Sequence, residues 1–296
     1  MAFTCPTGIL HIYKGDYYVI HIKTEIREPV KHTVSERPVT FGSQGVKLNG
    51  TLFIPSGASR YNRLPGAVMC HGYGGDQVAF ENSAKTLASE GIIALTFDFR
   101  GHGSSQGTLD GSIVNDVIDA WDFLRSQPEV DRKSMGLIGH SMGAFSAILA
   151  AGKLKKAKVL IALACPGEIK NKVVRNPDHF AHPLLRLIAR SVFQYFNLVN
   201  NVRIRVDWRR FLEFWIKTKP SEALAGLEGC AKLFVFCLGD QTSPYNRFLY
   251  SYAMASEPKQ VMISSGHHTS MIEPGELRTQ WQKWAVGALH GRHYTD

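Results

Sequence analysis

From Pro38 onward, short apolar runs alternate with longer stretches in which apolar residues recur every three or four positions, and this alternation narrows the fold more than any other feature of the chain. The runs VKLNGTLFI, GAVMCH, IIALTFDF, SMGLIGH, KVLIALAC, KLFVFCLGD and QVMISS read as strands. Helical patterns fall near 78–90, 112–126 and 142–152, after Pro244, and near 275–289. Strands that are apolar at nearly every position must be covered on both faces, which is the situation inside a mostly parallel sheet with helices above and below. At 296 residues the chain exceeds the usual domain, so one large α/β unit, or such a core with an insertion, is expected. With 44% hydrophobic and 20% charged residues the composition excludes wholesale disorder. No apolar run is long enough for a membrane helix.

Two segments break the rhythm. Residues 1–35 hold short alternating runs, ILHIY and YYVIHIKTEI, around Lys14-Gly15-Asp16, and read as an N-terminal extension with a β-hairpin. Residues 167–226 interrupt the strand series, so the core is expected to consist of 36–166 and 227–296. This insertion looks helical. PLLRLIARSVFQYFNLV, opened by Pro183, carries Arg186, Arg190, Gln194 and Asn197 on one stripe, and DWRRFLEFWIK starts from a capping Asp207. Packing on the core is the plain reading of these apolar faces, and a lid over an acyl-binding pocket is the sharper one.

The net charge of +9 comes from this part of the chain, where 15 Lys or Arg between Lys153 and Lys219 face only four acidic residues. Such a field favours an anionic partner without choosing among a substrate with a carboxylate, a phosphorylated cofactor and an acidic lipid surface touched peripherally through 167–226. No nucleic-acid-reading motif accompanies the charge, so no nucleic-acid partner is expected. The first residues lack a basic leader before an apolar stretch, and the five cysteines include no C-x-x-C pair. A reducing cytoplasm is the expected location, with no disulfide framework and no metal or other cofactor.

The chemistry centres on Gly139-His140-Ser141-Met142-Gly143, which lies where the strand SMGLIGH ends and a helical pattern begins. That context matters more than the spelling, because a nucleophile at such a junction sits on a tight turn that bulky neighbours would obstruct. A serine hydroxyl needs a base to remove its proton, and the base needs a carboxylate to fix its tautomer. Asp240 follows the strand KLFVFCLG, and Gly266-His267-His268 follows QVMISS, so all three groups fall at strand ends. The oxyanion donors are expected to be the backbone N–H groups of Met142 and of Tyr73, in the turn His71-Gly72-Tyr73-Gly74-Gly75. Asp98 also ends a strand, but it precedes the nucleophile, whereas the order Ser, Asp, His suits an elbow of this kind. Cys165 ends a strand without an elbow and reads as a packing thiol.

These motifs resemble the α/β-hydrolases, the superfamily that includes carboxylesterases, monoacylglycerol lipases and serine aminopeptidases. The resemblance runs from about Val39 to Leu289: the opening VTFGSQGVKLNGTLFIP, the turn HGYGG, the stretch DFRGHGSS from Asp98 to Ser105, the elbow GHSMG, and Asp240 with Pro244 after it. It implies an α/β-hydrolase fold with a mostly parallel central sheet and a helical cap at 167–226. Spacing typical of the family puts the base at His268, while the family's frequent Gly-His dipeptide points to His267; His268 is preferred and His267 is the alternative. The resemblance makes His71, His102 and His140 structural, and Cys237 stands where glycine is common before the acid. The activity implied is hydrolysis of a carboxylic ester on a small molecule through an acyl-enzyme. An aminopeptidase or thioesterase on the same fold, or a non-catalytic membrane-surface module, are the alternatives. No acidic cluster for binding an amine stands near the insertion.

Overall fold

The computed structural model describes residues 31–168 and 204–291, together with the backbone of three short strands near the N-terminus. The chain divides into two compact units, Met1–Lys31 and His32–Asp296. In the first, β1 (Thr4–Cys5), β2 (Gly8–His11) and β3 (His21–Ile22) form a small antiparallel sheet in which Leu10 faces Ile22 and His11 faces His21. ILHIY contributes residues of β2, which takes part in both pairings, and YYVIHIKTEI contributes β3.

The second unit is built on an eight-stranded sheet. Its strands are β4 (Val34–Ser43), β5 (Val46–Pro55), β6 (Leu64–Cys70), β7 (Ile93–Phe97), β8 (Val130–His140), β9 (Val159–Leu163), β10 (Ala231–Cys237) and β11 (Lys259–Ser264). Across the sheet they run in the order β11-β10-β9-β8-β6-β7-β5-β4. The six strands from β11 to β7 are mutually parallel, and β5 pairs antiparallel with both β7 and β4. The reading of VKLNGTLFI as a lone opening strand is thus extended: Gln44 and Gly45, both at positive φ, turn the chain between β4 and β5 into a hairpin.

The helices are α1 (Glu81–Ser89), α2 (Ile113–Ser126), α3 (Met142–Leu154), α4 (Trp208–Lys217), α5 (Pro220–Ala225), α6 (Tyr245–Met254) and α7 (Glu276–Leu289). The alternation of side chains along β6 explains why helices must cover both faces. Val68 and Cys70 join a core containing Trp121 of α2 and Phe145 of α3, while Ala67 and Met69 join a second core containing Leu87 of α1 and Trp281 of α7. At α4, Asp207 accepts a hydrogen bond from the Arg210 N–H at 3.1 Å, the capping bond its position suggests. The expected helix over PLLRLIARSVFQYFNLV lies outside the described residues. Among those described, no helix is long and apolar enough to cross a membrane.

The topology also locates the crevice. From β6 the chain moves outward to β7 on one side, whereas β8 lies on the other side of β6. Helices leaving in opposite directions open a gap at the carboxyl ends of these two strands. There Cys70 is paired with Gly139, so the turn after β6 and the residues after β8 face each other across the gap.

Candidate active site

Ser141 occupies the junction between β8 and α3 with φ 53 and ψ −119, a left-handed backbone that a non-glycine residue adopts only when its surroundings enforce it. Its N–H donates to Leu163 O at 2.8 Å on β9, and its carbonyl accepts from Phe145 N–H at 3.0 Å in the first turn of α3. The flanking glycines are required by close approach. A Cβ on Gly143 would lie 2.1 Å from the Cys70 carbonyl oxygen, and one on Gly139 would lie 2.4 Å from the Gly143 oxygen. Strand, turn and helix therefore pack backbone to backbone, and the serine is held at the crevice floor.

Asp240 is buried in the turn after β10. Its Oδ1 accepts from the N–H groups of Thr242 and Ser243, each at 2.8 Å, which fixes the carboxylate and leaves Oδ2 for His268 Nδ1 at 2.8 Å. A carboxylate beside Nδ1 keeps the proton there, so Nε2 of the neutral ring carries the lone pair. His267 is placed differently. Its side chain is 65% exposed and its ring meets Thr269 Oγ1 at 3.2 Å and Glu273 Oε2 at 3.8 Å, on the outside of the same turn. Among the described residues neither the Ser141 hydroxyl nor His268 Nε2 has a hydrogen bond.

The turn after β6 closes the other side. A Cβ on Gly72 would lie 3.3 Å from Ser141 Cβ, so the next residue, Tyr73, starts immediately beside the serine. Met142 opens α3, where no carbonyl of the helix reaches its N–H. The Tyr73 ring is stacked on Phe211 with centroids 6.2 Å apart and lies 6.1 Å from Trp208, while Trp215 stacks on Phe145 at 4.4 Å. The aromatic face of α4 thus covers the region beside the elbow, and no single sequence motif announces the Tyr73 contact.

His71, His102 and Asp98 are used up in holding loops. Asp98 accepts from Gln77 N–H at 2.8 Å and from Ser104 N–H at 2.9 Å. His71 Nε2 accepts from Phe99 N–H at 3.1 Å, which leaves the proton on Nδ1, facing Gly72 O at 2.7 Å. His102 likewise accepts from Gly74 N–H at Nε2 and turns Nδ1 to Arg100 O. Burial lowers His71 to about 4 and His102 to about 3, keeping both neutral. Below them Arg100 and Asp116 form a buried pair at 2.7 Å, joined by Ser43 Oγ. Burial also pushes the thiols of Cys70 and Cys165 up, away from the thiolate.

A doubly covered parallel sheet with a strained serine after its central strand, and acid and histidine after later strands, defines a class. The chain has the α/β-hydrolase fold. The family model described as "Serine aminopeptidase, S33" matches residues 66–208. Among curated proteins, the thiohydrolase aneE of Aspergillus aculeatus is 32% identical over 128 residues, covering 41% of this chain and 38% of that protein, so the match spans well under half of the relative. Among solved structures, the α/β hydrolase GrgF from Penicillium sp. sh18 superposes with a TM-score of 0.70 at 18% identity, covering 87% of this chain and 99% of that one. An acetyl xylan esterase from Paenibacillus sp. R4 gives 0.64 at 19% identity, with 94% and 87% covered.

Proposed function

We propose that the protein is a serine hydrolase that cleaves a carboxylic ester through a covalent acyl-enzyme. The observation that carries this reading is the buried Asp240 at 2.8 Å from His268 Nδ1, at the carboxyl end of the sheet that also carries the strained Ser141. Ser141 Oγ attacks the carbonyl carbon and its proton passes to His268 Nε2; the imidazolium is stabilised by Asp240. The oxygen that becomes negative is met by the N–H groups of Met142 and Tyr73. Collapse breaks the bond to the leaving alcohol, which takes the proton from Nε2. Water, deprotonated by the same nitrogen, then attacks the acyl carbon and releases the acid and Ser141. The serine and imidazole close their hydrogen bond when substrate fills the crevice, as catalytic contacts commonly do. The aromatic residues of α4 suit an apolar acyl portion, and residues 167–226 serve as the cap over it.

A thioester is the second reading, favoured by the match to a protein named as a thiohydrolase. The triad would act identically, with a thiol as leaving group. The test is a panel in which one acyl chain is presented as oxygen ester, thioester and amide to the native protein and to Ser141→Ala. Ester turnover exceeding the other two, and lost in the variant, supports the proposal. Preference for the thioester selects the second reading, and amide cleavage would make the enzyme a peptidase.

A further inference from the structure

We infer that His140, the residue before Ser141, is a positioning residue that tethers the backbone of His268 and so fixes where the base can lie. The inference rests on the reading of His268 as that base. His140 is the last residue of β8 and is buried. Its Nε2 lies 2.8 Å from the carbonyl oxygen of His268. A carbonyl can only accept, so Nε2 bears the proton and donates, and Nδ1 carries the lone pair. That second nitrogen faces the turn after β6, where a Cβ on Gly72 would lie 3.0 Å away. The rings of His140 and His268 are in contact, with centroids 4.8 Å apart and planes tilted by 51°.

One side chain therefore links three parts of the proposed reaction. It is covalently next to the nucleophile, lies flush against the turn that supplies Tyr73, and is hydrogen-bonded to the backbone of the base. The need for this tether follows from where His268 sits. Between β11 and α7 the chain makes only turns, and the described bonds that bind His268 to other strand ends are its Nδ1 contact to Asp240 and its carbonyl contact to His140. A ring held by Asp240 alone can swing about that single bond. Adding an anchor on the end of β8 ties the backbone of His268 to the strand that also carries Ser141. Misplacing a catalytic group by about 1 Å can cost on the order of 10²-fold in rate. Burial, reinforced by the charge of His268, holds His140 down at about 4, so the neutral tautomer persists across the pH range in which an imidazole base works.

The test compares His140→Phe, which keeps the ring shape and removes the donor, with His140→Gln, whose amide N–H reaches a similar distance, and His140→Asn, whose amide falls short. The primary readout is the second-order rate constant for labelling by a fluorophosphonate, which reports on the serine and its base with little contribution from substrate binding. The Phe and Asn variants are expected to label roughly 10- to 100-fold more slowly, with kcat falling and KM essentially unchanged, and Gln to recover most of the rate. A downfield proton resonance is expected for His268 Nδ1–H in the native protein, and it should shift or broaden in Phe and Asn and return in Gln. Labelling of the Phe variant at the native rate, or equal slowing in all three variants, would overturn the tether. A different result identifies failure of the underlying reading: a native protein that does not label, or labelling that survives in His268→Ala.

Discussion

Two groups of histidine and carboxylate stand at the carboxyl ends of this sheet, and they differ in how their polar atoms are used. At the ends of β6 and β7, Asp98, His71 and His102 have both carboxylate oxygens and all four ring nitrogens engaged with backbone or with one another's loops. At the ends of β10 and β11, Asp240 is just as fully engaged, but His268 keeps Nε2 without a hydrogen bond among the described residues. The first group is a clamp for the turns that bear Tyr73 and Ser104. The second has one basic nitrogen left for a proton. Residue type does not separate these two groups, whereas the inventory of the ring nitrogens of His71, His102 and His268 does.

The sharpest way to break this distinction is to remove the groups assigned to chemistry. Ser141→Ala should lower turnover on an acyl ester by about 10⁶-fold, close to background, and Asp240→Asn by about 10⁴-fold, because an amide at that position no longer holds the productive tautomer. Steady-state rates at saturating substrate measure both, and the fold should persist in each.

The complementary change strikes the buried Arg100–Asp116 pair beneath the clamp. Asp116→Ala leaves Arg100 buried without its main partner and should cost about 3–5 kcal/mol of stability in urea unfolding, with activity per folded molecule retained. Should this variant instead lose activity at native stability, the division of labour would be wrong.

A third expectation concerns pH. His71, His102 and His140 are lowered by burial to about 4, 3 and 4, from an unfolded value near 6.5. Well above pH 6.5 both states are neutral and these groups contribute no slope. As pH falls below 6.5 the unfolded chain takes up protons that the folded one refuses, so stability declines, until the folded histidines themselves titrate. Urea unfolding between pH 6.5 and 5, a window above most carboxylate titrations, should show an uptake approaching three protons. A flat profile there would mean that the rings are not held neutral. The smallest effect belongs to His267→Ala, an exposed position, which should change stability by no more than about 0.5 kcal/mol and turnover only slightly.

Much of this was legible in the sequence because the informative residues sit at strand ends, where a break in the apolar pattern marks the place in space as well as in the chain. SMGLIGH followed by a helical pattern located Ser141, and KLFVFCLG located Asp240 in the same way. The different surroundings of His267, which is exposed, and His268, which is beside Asp240, could be seen only in the geometry, since adjacent residues in a turn point in different directions and no periodicity says which. The contact of His140 with the carbonyl of His268 joins positions 128 residues apart and leaves no local pattern. The hairpin of β4 and β5 was obscured for another reason: the exposed β4 alternates too weakly to announce a strand, its polar residues Ser35, Glu36 and Arg37 facing outward at the sheet edge. The Tyr73 stack on Phe211 depends on how α4 packs beside the turn after β6, which is a property of the tertiary structure.

The central claim is that Ser141 is the nucleophile, and peptide mapping of the native protein after reaction with a fluorophosphonate tests it most directly. A single adduct on the peptide containing Ser141, absent after Ser141→Ala and greatly slowed after His268→Ala, is the predicted result. An adduct on any other residue, or one that forms equally in Ser141→Ala, would contradict it.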